Sequence, residues 1–502
     1  MMSKVIPFVG YFLIILWIIW LATRNRSETT EDFFLGGRKM NEWVVALSAV
    51  ASGRSAWLLL GLTGIAYKIG VSAVWAVVGY IWVEMCMFSY LGKRLRKFTS
   101  QRRIITIPEF FAERFGDRRH ILRLLSTFII ILFFFVYISA QLIAGGKTFS
   151  GSFGVSLEVG IGITALIVLL YTTVGGFAAV AWTDVLQACM MLVALLVLPI
   201  IAVASQGGLG QIFASLKDAP MEVFKSAGSA VDFWALGAGG VIGLIAIGLG
   251  SPGNPHILVR YMSIDEPKAL RKAAIIGTIW NILTACGAIL VGLAARTLIP
   301  YPDIPLKASG AADYDKVFLL MANVYLPSVL QGLVLAAIFA AIMSTIDSQL
   351  LVVSSSVTRD LYQKLFSKDA SEKTMLVLGR VSVVLIVILA VLAGLYINES
   401  IFWLVLLAWG GLGSALGPVV ILSLYWRGMT WAGAVAGILV GTVTVWIWKY
   451  TPWLHKAFIK YELVPGFLFA TFAIVVVSLL TRPIHPPEKA FEDLLDVPHE
   501  KS

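Results

Sequence analysis

The chain has 502 residues, of which 59% are hydrophobic and 14% charged, with a formal net charge of +10. Its mean hydropathy of +0.87 leaves more apolar surface than soluble cores can hide, which excludes an ordinary soluble protein and requires lipid as solvent. The Lys and Arg residues sit in short loops beside apolar runs, a pattern that belongs to membrane topology rather than to nucleic-acid binding.

Apolar runs long enough to cross a hydrocarbon core of roughly 30 Å as helices recur along the whole sequence. The reading predicts an all-α polytopic membrane protein with about thirteen spans, near 5–23, 43–67, 71–92, 124–147, 159–179, 181–204, 231–256, 273–298, 318–357, 375–397, 402–426, 432–448 and 465–481. The first run has only Lys4 before it and Arg24-Asn25-Arg26 after it in place of a small-residue cleavage site, so a retained helix is expected. The stretch 93–123 is the most basic and goes to the cytoplasm by the positive-inside rule. Alternation then puts the N-terminus outside and the C-terminus inside a plasma (inner) membrane. Arg24 with Arg38-Lys39, Lys268 with Arg271-Lys272, and Arg359 with Lys364 all fall on the cytoplasmic side. The span at 318–357 is long for one crossing, which implies tilt or a cytoplasmic extension. After Thr481 the sequence is polar, with Pro483, Pro486 and Pro487, and reads as a cytoplasmic tail without an effector domain. Cys86, Cys189 and Cys286 lie in apolar segments without ligand spacing, so neither a disulfide framework nor a zinc site is expected. No Walker A, HExxH or GxSxG pattern occurs, which argues against an ATP-driven pump and a membrane-embedded enzyme and gives no reason to expect an organic cofactor.

Two segments read as interrupted helices. In Leu47-Ser48-Ala49-Val50-Ala51-Ser52-Gly53-Arg54-Ser55-Ala56-Trp57, small and hydroxyl residues surround a glycine and an arginine at mid-span. Gly248-Leu249-Gly250-Ser251-Pro252-Gly253-Asn254-Pro255-His256 cannot sustain regular helical hydrogen bonding. Irregular backbone at membrane depth is tolerated where it is buried in protein or lines a wet cavity, and paired breaks in corresponding halves point to a transport site. Each break opens a five-helix unit, one at 43–205 and one at 231–426. That arrangement predicts two inverted repeats, preceded by an extra helix and loop at 1–42 and followed by two helices at 427–481 and the tail at 482–502.

Ser344-Thr345, deep in the 318–357 span, offers two adjacent hydroxyls that either ligate a hard monovalent cation or bond back to their own helix. Intramembrane charges cost at least about 2.5 kcal/mol each on insertion scales. Arg54 and Glu84 fall at depths about 3 Å apart; they either neutralise each other or bind substrate or ion directly. Asp184 and Asp347 lie nearer the cytoplasmic ends of their spans, as an ion exit route or as groups hydrogen-bonded at the wet boundary.

With these residues in view, the chain resembles the sodium:solute symporter family, from about Asp32 to Pro483. The resemblance is carried by Asp32-Phe33-Phe34-Leu35-Gly36-Gly37-Arg38, by Ala46-Leu47-Ser48-Ala49 and Trp57-Leu58-Leu59-Leu60-Gly61, and by Val174-Gly175-Gly176-Phe177 running on to Asp184. Pro255-His256 through Met262, Met343-Ser344-Thr345, and Gly413-Ser414 through Val420 complete it. It implies a core of two inverted five-helix repeats with broken first and sixth core helices, working by alternating access. It further implies a sodium site made by the carbonyls of Ala51, Arg54 and Ala341 and the hydroxyls of Ser344 and Thr345. Substrate would lie by Ser55, Ala56, Tyr137, Ile247, Ser251 and Pro255. Three departures from the proline-transporting members stand out: Gly53 replaces an aspartate, Arg54 a neutral residue, and Ile247 with Ser251 a tryptophan and a tyrosine. The expectation is sodium-coupled symport of a small organic solute, an amino acid such as proline or a small carboxylate. Its partners would be that solute, the sodium ion and the bilayer. The alternatives are a sodium-independent or proton-linked carrier in which the Arg54 guanidinium takes the ion's place, and a solute sensor of the same fold.

Overall fold

The computed structural model describes residues 2–24, 29–172, 176–218, 229–299, 303–307, 310–367, 370–397, 399–457 and 461–481. The readings made for Val174-Gly175 and for the tail at 482–502 lie outside the described residues. The helices that build the bundle are α1 (Met2–Arg24), α2 (Glu42–Ala56), α3 (Thr63–Ile69), α4 (Val74–Cys86), α5 (Gly92–Gln101), α6 (Ile107–Phe115), α7 (Ile121–Phe153), α8 (Leu157–Thr172) and α9 (Phe177–Ser205). They continue as α10 (Gly237–Ile245), α11 (Pro255–Ser263), α12 (Leu270–Leu298), α13 (Val317–Tyr325), α14 (Ser328–Ser355), α15 (Glu372–Gly394), α16 (Ile401–Tyr425), α17 (Trp431–Tyr450) and α18 (Leu463–Leu480).

Several helices start where the sequence supplies an acceptor for the orphan amides of a first turn. Asn41 Oδ1 accepts from the Val44 N–H at 2.9 Å ahead of α2. At α6, Thr106 Oγ1 accepts from the Glu109 N–H at 3.1 Å while Glu109 Oε2 accepts from the Ile105 N–H at 2.9 Å, a reciprocal cap close to a capping box. The expected single span at 318–357 is two helices, because Pro327 cannot donate and Leu326 before it is extended at φ −106°, ψ 140°. Among the described residues, ten helical stretches are long and apolar enough to cross a membrane, or eleven if the bent pair at 237–263 is one span. One of the ten, Glu42–Gln101, would be about 90 Å long if straight. The chain turns within it at Gly70–Ala73, where Gly70 has φ +66°. The expectation of thirteen spans counts this stretch twice and adds the shorter Leu157–Leu170.

The centre of the bundle is α14 and α16, the most enclosed of these spans. Helices α1, α2, α7 and α9 pack on α14, and α12 packs on α2, α4 and α9. Helices α17 and α18 pack on each other and on α16. Exposed apolar side chains such as Trp17, Leu170, Ile200, Ile275, Leu385 and Phe472 form the surface that lipid solvates. The protein is an integral, multi-pass membrane protein.

Two ties set the position of the site. A Cβ on Gly79 would run into the Ile245 carbonyl, and one on Gly248 into the Gly79 carbonyl, so α4 meets the second broken helix backbone to backbone. At the other end, Arg38 donates to the carbonyls of Met262 at 3.1 Å, Ile104 at 2.6 Å and Thr99 at 3.1 Å. The adjoining Met40 N–H donates to Ser263 O at 3.2 Å, and Met40 O accepts from Asp265 N–H at 2.9 Å. Because overpacking a tight contact costs about 1–3 kcal/mol, Gly79→Leu is expected to lower the melting midpoint of the purified protein in detergent. Gly162→Ala, at a position with open space around it, is expected to leave that midpoint in place.

Candidate functional site

Both predicted breaks are present. Helix α2 is interrupted at Ser55, whose φ of +50° and ψ of −169° cannot belong to a helix. The chain resumes through a wide turn at Trp57–Leu62 into α3. The second helix narrows to a 3₁₀ segment at Ala246–Gly253, turns at Asn254 and leaves as α11 at 55° to its first half. Pro255 opens α11, where its missing N–H costs nothing.

Side chains meet backbone groups near the breaks. Gln141 Oε1 accepts from the Ala56 N–H at 3.0 Å, Asn254 Nδ2 donates to Gly250 O at 2.7 Å, and Trp409 Nε1 donates to Ile247 O at 2.8 Å. Across from the first break, Ser344 Oγ reaches Ala51 O at 3.3 Å and Ala341 O at 3.1 Å. Thr345 Oγ1 reaches Ser52 O at 2.9 Å and Ala341 O at 3.2 Å. Of the five expected sodium ligands, Ser344 meets Ala51 across α2 and α14, Thr345 crosses to the Ser52 carbonyl, and Ala341 is reached by both hydroxyls from within its own helix α14. The Arg54 carbonyl accepts from the Trp57 N–H.

The expected substrate residues are all buried. Tyr137 Oη donates to Ser55 Oγ at 3.4 Å, and its ring stands edge-on to His256 at 6.2 Å, next to Pro255, so α7 spans the two breaks. Gln141 Nε2 and Ser251 Oγ are buried without a hydrogen-bond partner among the described residues. A cavity between α3, α10 and α16 has Ile247 in its lining, with Ile65, Lys68, Leu244, Trp403 and Tyr461.

Arg54 and Glu84 form a buried ion pair. Arg54 Nε also donates to Asn281 Oδ1 at 2.9 Å, Asn281 Nδ2 donates to Glu84 Oε2 at 2.6 Å, and the guanidinium lies 3.8 Å over the Tyr80 ring. The guanidinium therefore points to α4 and α12. It does not fill the place among the Ser344 and Thr345 hydroxyls, as the sodium-independent alternative requires.

Asp184 is fully enclosed. It accepts from Ser48 Oγ at 2.6 Å, Ser52 Oγ at 3.2 Å and Arg260 Nη2 at 3.1 Å. Arg260 also bonds Ser348. Asp347 Oδ1 accepts from the Ser348 N–H at 2.7 Å, so the four elements α2, α9, α11 and α14 share one polar network.

The pairing of Arg54 with Glu84 is readable from depth, but its third member, Asn281, is not. Arg260 lies four residues past the end of the predicted 231–256 span, so the cost of burying a charge in a bilayer gives no signal for it from the sequence. Gln141 follows Tyr137 by one helical turn, a signal that periodicity carries. A third buried knot, Lys147 with Asp313 at 2.8 Å and Asp315 at 2.6 Å, joins α7 to the chain ahead of α13.

Comparison with known proteins adds independent evidence. The sequence profile described as "SSF: Sodium:solute symporter family" matches residues 33–441. The chain is 38% identical to the high-affinity proline transporter of Bacillus subtilis over 474 residues, covering 94% of this chain and 97% of that one. It is 37% identical to the sodium/proline symporter of Escherichia coli over 484 residues, covering 96% and 93%. The solved structure of a Na+-coupled sialic acid symporter superposes with a TM-score of 0.78 at 20% identity, covering 96% of this chain and 98% of that one; this similarity concerns the fold. With a profile match over most of its length and relatives at this identity, the chain belongs to the sodium:solute symporter family.

Proposed function

We propose that the protein couples the inward movement of a sodium ion to the uptake of a small organic solute, an amino acid such as proline or a small carboxylate. The observation that carries this reading is the set of oxygens shared by α2 and α14: the carbonyls of Ala51, Ser52 and Ala341 with the hydroxyls of Ser344 and Thr345. They are neutral hard donors on two different elements, the kind of set that a monovalent cation joins while losing its water. An ion held there favours the arrangement in which α2 lies against α14, and this orders the adjacent break at Ser55 for the solute. Family membership and the names of the proline-transporting relatives support the same reading. The unpaired Gln141 Nε2 and Ser251 Oγ supply the polar contacts for the solute, and the cavity over Ile247 supplies its route.

The proposed layout has thirteen crossings, with an extra helix and loop at 1–42, five-helix repeats at 43–205 and 231–426, and two further helices at 427–481. The N-terminus lies outside and the C-terminus in the cytoplasm of a plasma membrane. The order of elements supports the repeat, since a broken helix opens each unit.

Uptake of a labelled amino-acid and carboxylate panel into proteoliposomes tests the reading. An inward sodium gradient should drive accumulation, and Ser344→Ala should reduce that stimulation by at least about ten-fold, as loss of a ligand oxygen from a buried polar site does. Equal uptake without sodium, indifferent to Ser344→Ala, would sink the reading. Gln141→Leu removes the acceptor for the Ala56 N–H. It should raise the half-saturating solute concentration about ten-fold, while the half-saturating sodium concentration moves less than about two-fold.

A further inference from the structure

We infer that Glu84 is the counter-charge that allows the first break to hold a sodium ion in the presence of Arg54. This rests on the reading of the α2–α14 oxygens as the ion site. Arg54 follows Ala51 by three residues and Ser52 by two, so its Cα lies within one helical turn along α2 of the residues whose carbonyls meet Ser344 and Thr345. Its side chain is buried, at 2% exposure, and a guanidinium keeps its charge in any protein environment. Repulsion between that charge and a bound cation is strong in a medium of low dielectric, and salt does little to screen it there.

The geometry around Arg54 answers this repulsion. The guanidinium is drawn off the α2 axis to Glu84 on α4, held by Asn281 on α12 and laid on the face of Tyr80. Asn281 bonds both charged partners and so fixes their relative position. The two carboxylate oxygens are used differently. Glu84 Oε2 takes the bonds from Arg54 and Asn281, whereas Oε1 is buried with no hydrogen-bond partner among the described residues. That free oxygen is turned toward the backbone of the break: a Cβ on Gly53 would stand 3.7 Å from it. The negative charge is thus offered to α2 at the residue between Ser52 and Arg54. Glu84 acts as a positioning residue for the ion, through Arg54 and through its field, without ligating the ion. If the pair served insertion and packing alone, its removal would weaken the fold without a selective effect on sodium.

The test uses the full-length protein purified in detergent, with NaCl as the titrant, choline chloride as the ionic-strength control and the sodium-dependent rise in melting midpoint as the readout. Glu84→Gln, with Arg54 retained, should raise the sodium concentration for half-maximal stabilisation by at least about ten-fold. Arg54→Met combined with Glu84→Gln should bring it back to within about three-fold of wild type. Arg54→Met alone, which leaves the carboxylate unopposed, should tighten sodium by at least about three-fold. The inference is overturned if folded Glu84→Gln protein binds sodium like wild type, or if the double variant stays as weak as the single one. Should Glu84→Gln not yield monodisperse protein, Arg54→Met decides, and unchanged sodium affinity there overturns it. Wild-type protein that sodium does not stabilise would overturn the ion-site reading and this inference with it. Stabilised wild type with an unshifted Glu84→Gln overturns this inference alone.

Discussion

A peptide group that leaves the helical ladder inside a bilayer has no water to turn to, and each one left unpaired costs several kcal/mol. The architecture follows from how the two breaks meet that demand. At Ser55 the freed groups turn to α7 through Gln141 and to α14 through Ser344 and Thr345. At the second break they turn to Trp409 on α16 and to Asn254 within the segment itself. The elements that surround the breaks are therefore bonded to them directly, and α14 and α16 are the most enclosed of the spans for that reason. A site for a small ion and a solute needs unpaired backbone polarity held in a fixed place. In this protein the same side chains that hold the breaks also border the proposed site.

Buried charge is arranged on a second principle. Arg54–Glu84, Arg260–Asp184 and Lys147 with Asp313 and Asp315 each cross between different elements. None is a local pair within one helix. Pairs of this kind add little to net stability, because desolvation offsets their attraction, yet breaking one leaves an uncompensated charge and costs several kcal/mol. Their effect is to penalise wrong registers between helices. The Arg54 cluster fixes α2 against α4 and α12, and the Arg260 cluster fixes α2 against α9, α11 and α14.

Much of this was legible in the sequence because membrane folding is a local problem first. Apolar run length reports the spans, and glycine and proline at mid-span report the breaks. Ser55 as the turning residue was legible only to within a few positions, since several small residues share that stretch. The split at Leu326–Pro327 was legible in Pro327 but was absorbed into one long apolar run. Gln141, Asn281 and Arg260 were less visible for a common reason. Each bonds a group at least 76 residues away in the chain. Only the fold brings them together. The partition of Thr345 toward Ser52 O and Ser344 toward Ala51 O depends on the rotation of α14 about its axis, which spacing does not encode.

The tie at Arg38 has a mechanical meaning. The strand of chain entering α2 and the strand leaving α11 are stitched by Arg38 to Met262 O, by Met40 N–H to Ser263 O and by Asp265 N–H to Met40 O. Arg260 repeats the link a turn deeper, reaching Ser48 of α2 at 3.0 Å. A displacement of α2 that left α11 behind would shear all of these at once. Rearrangements that keep them intact carry the two half-helices as one lever, so the breaks at Ser55 and Asn254 become the two ends of a single hinge line rather than two independent joints.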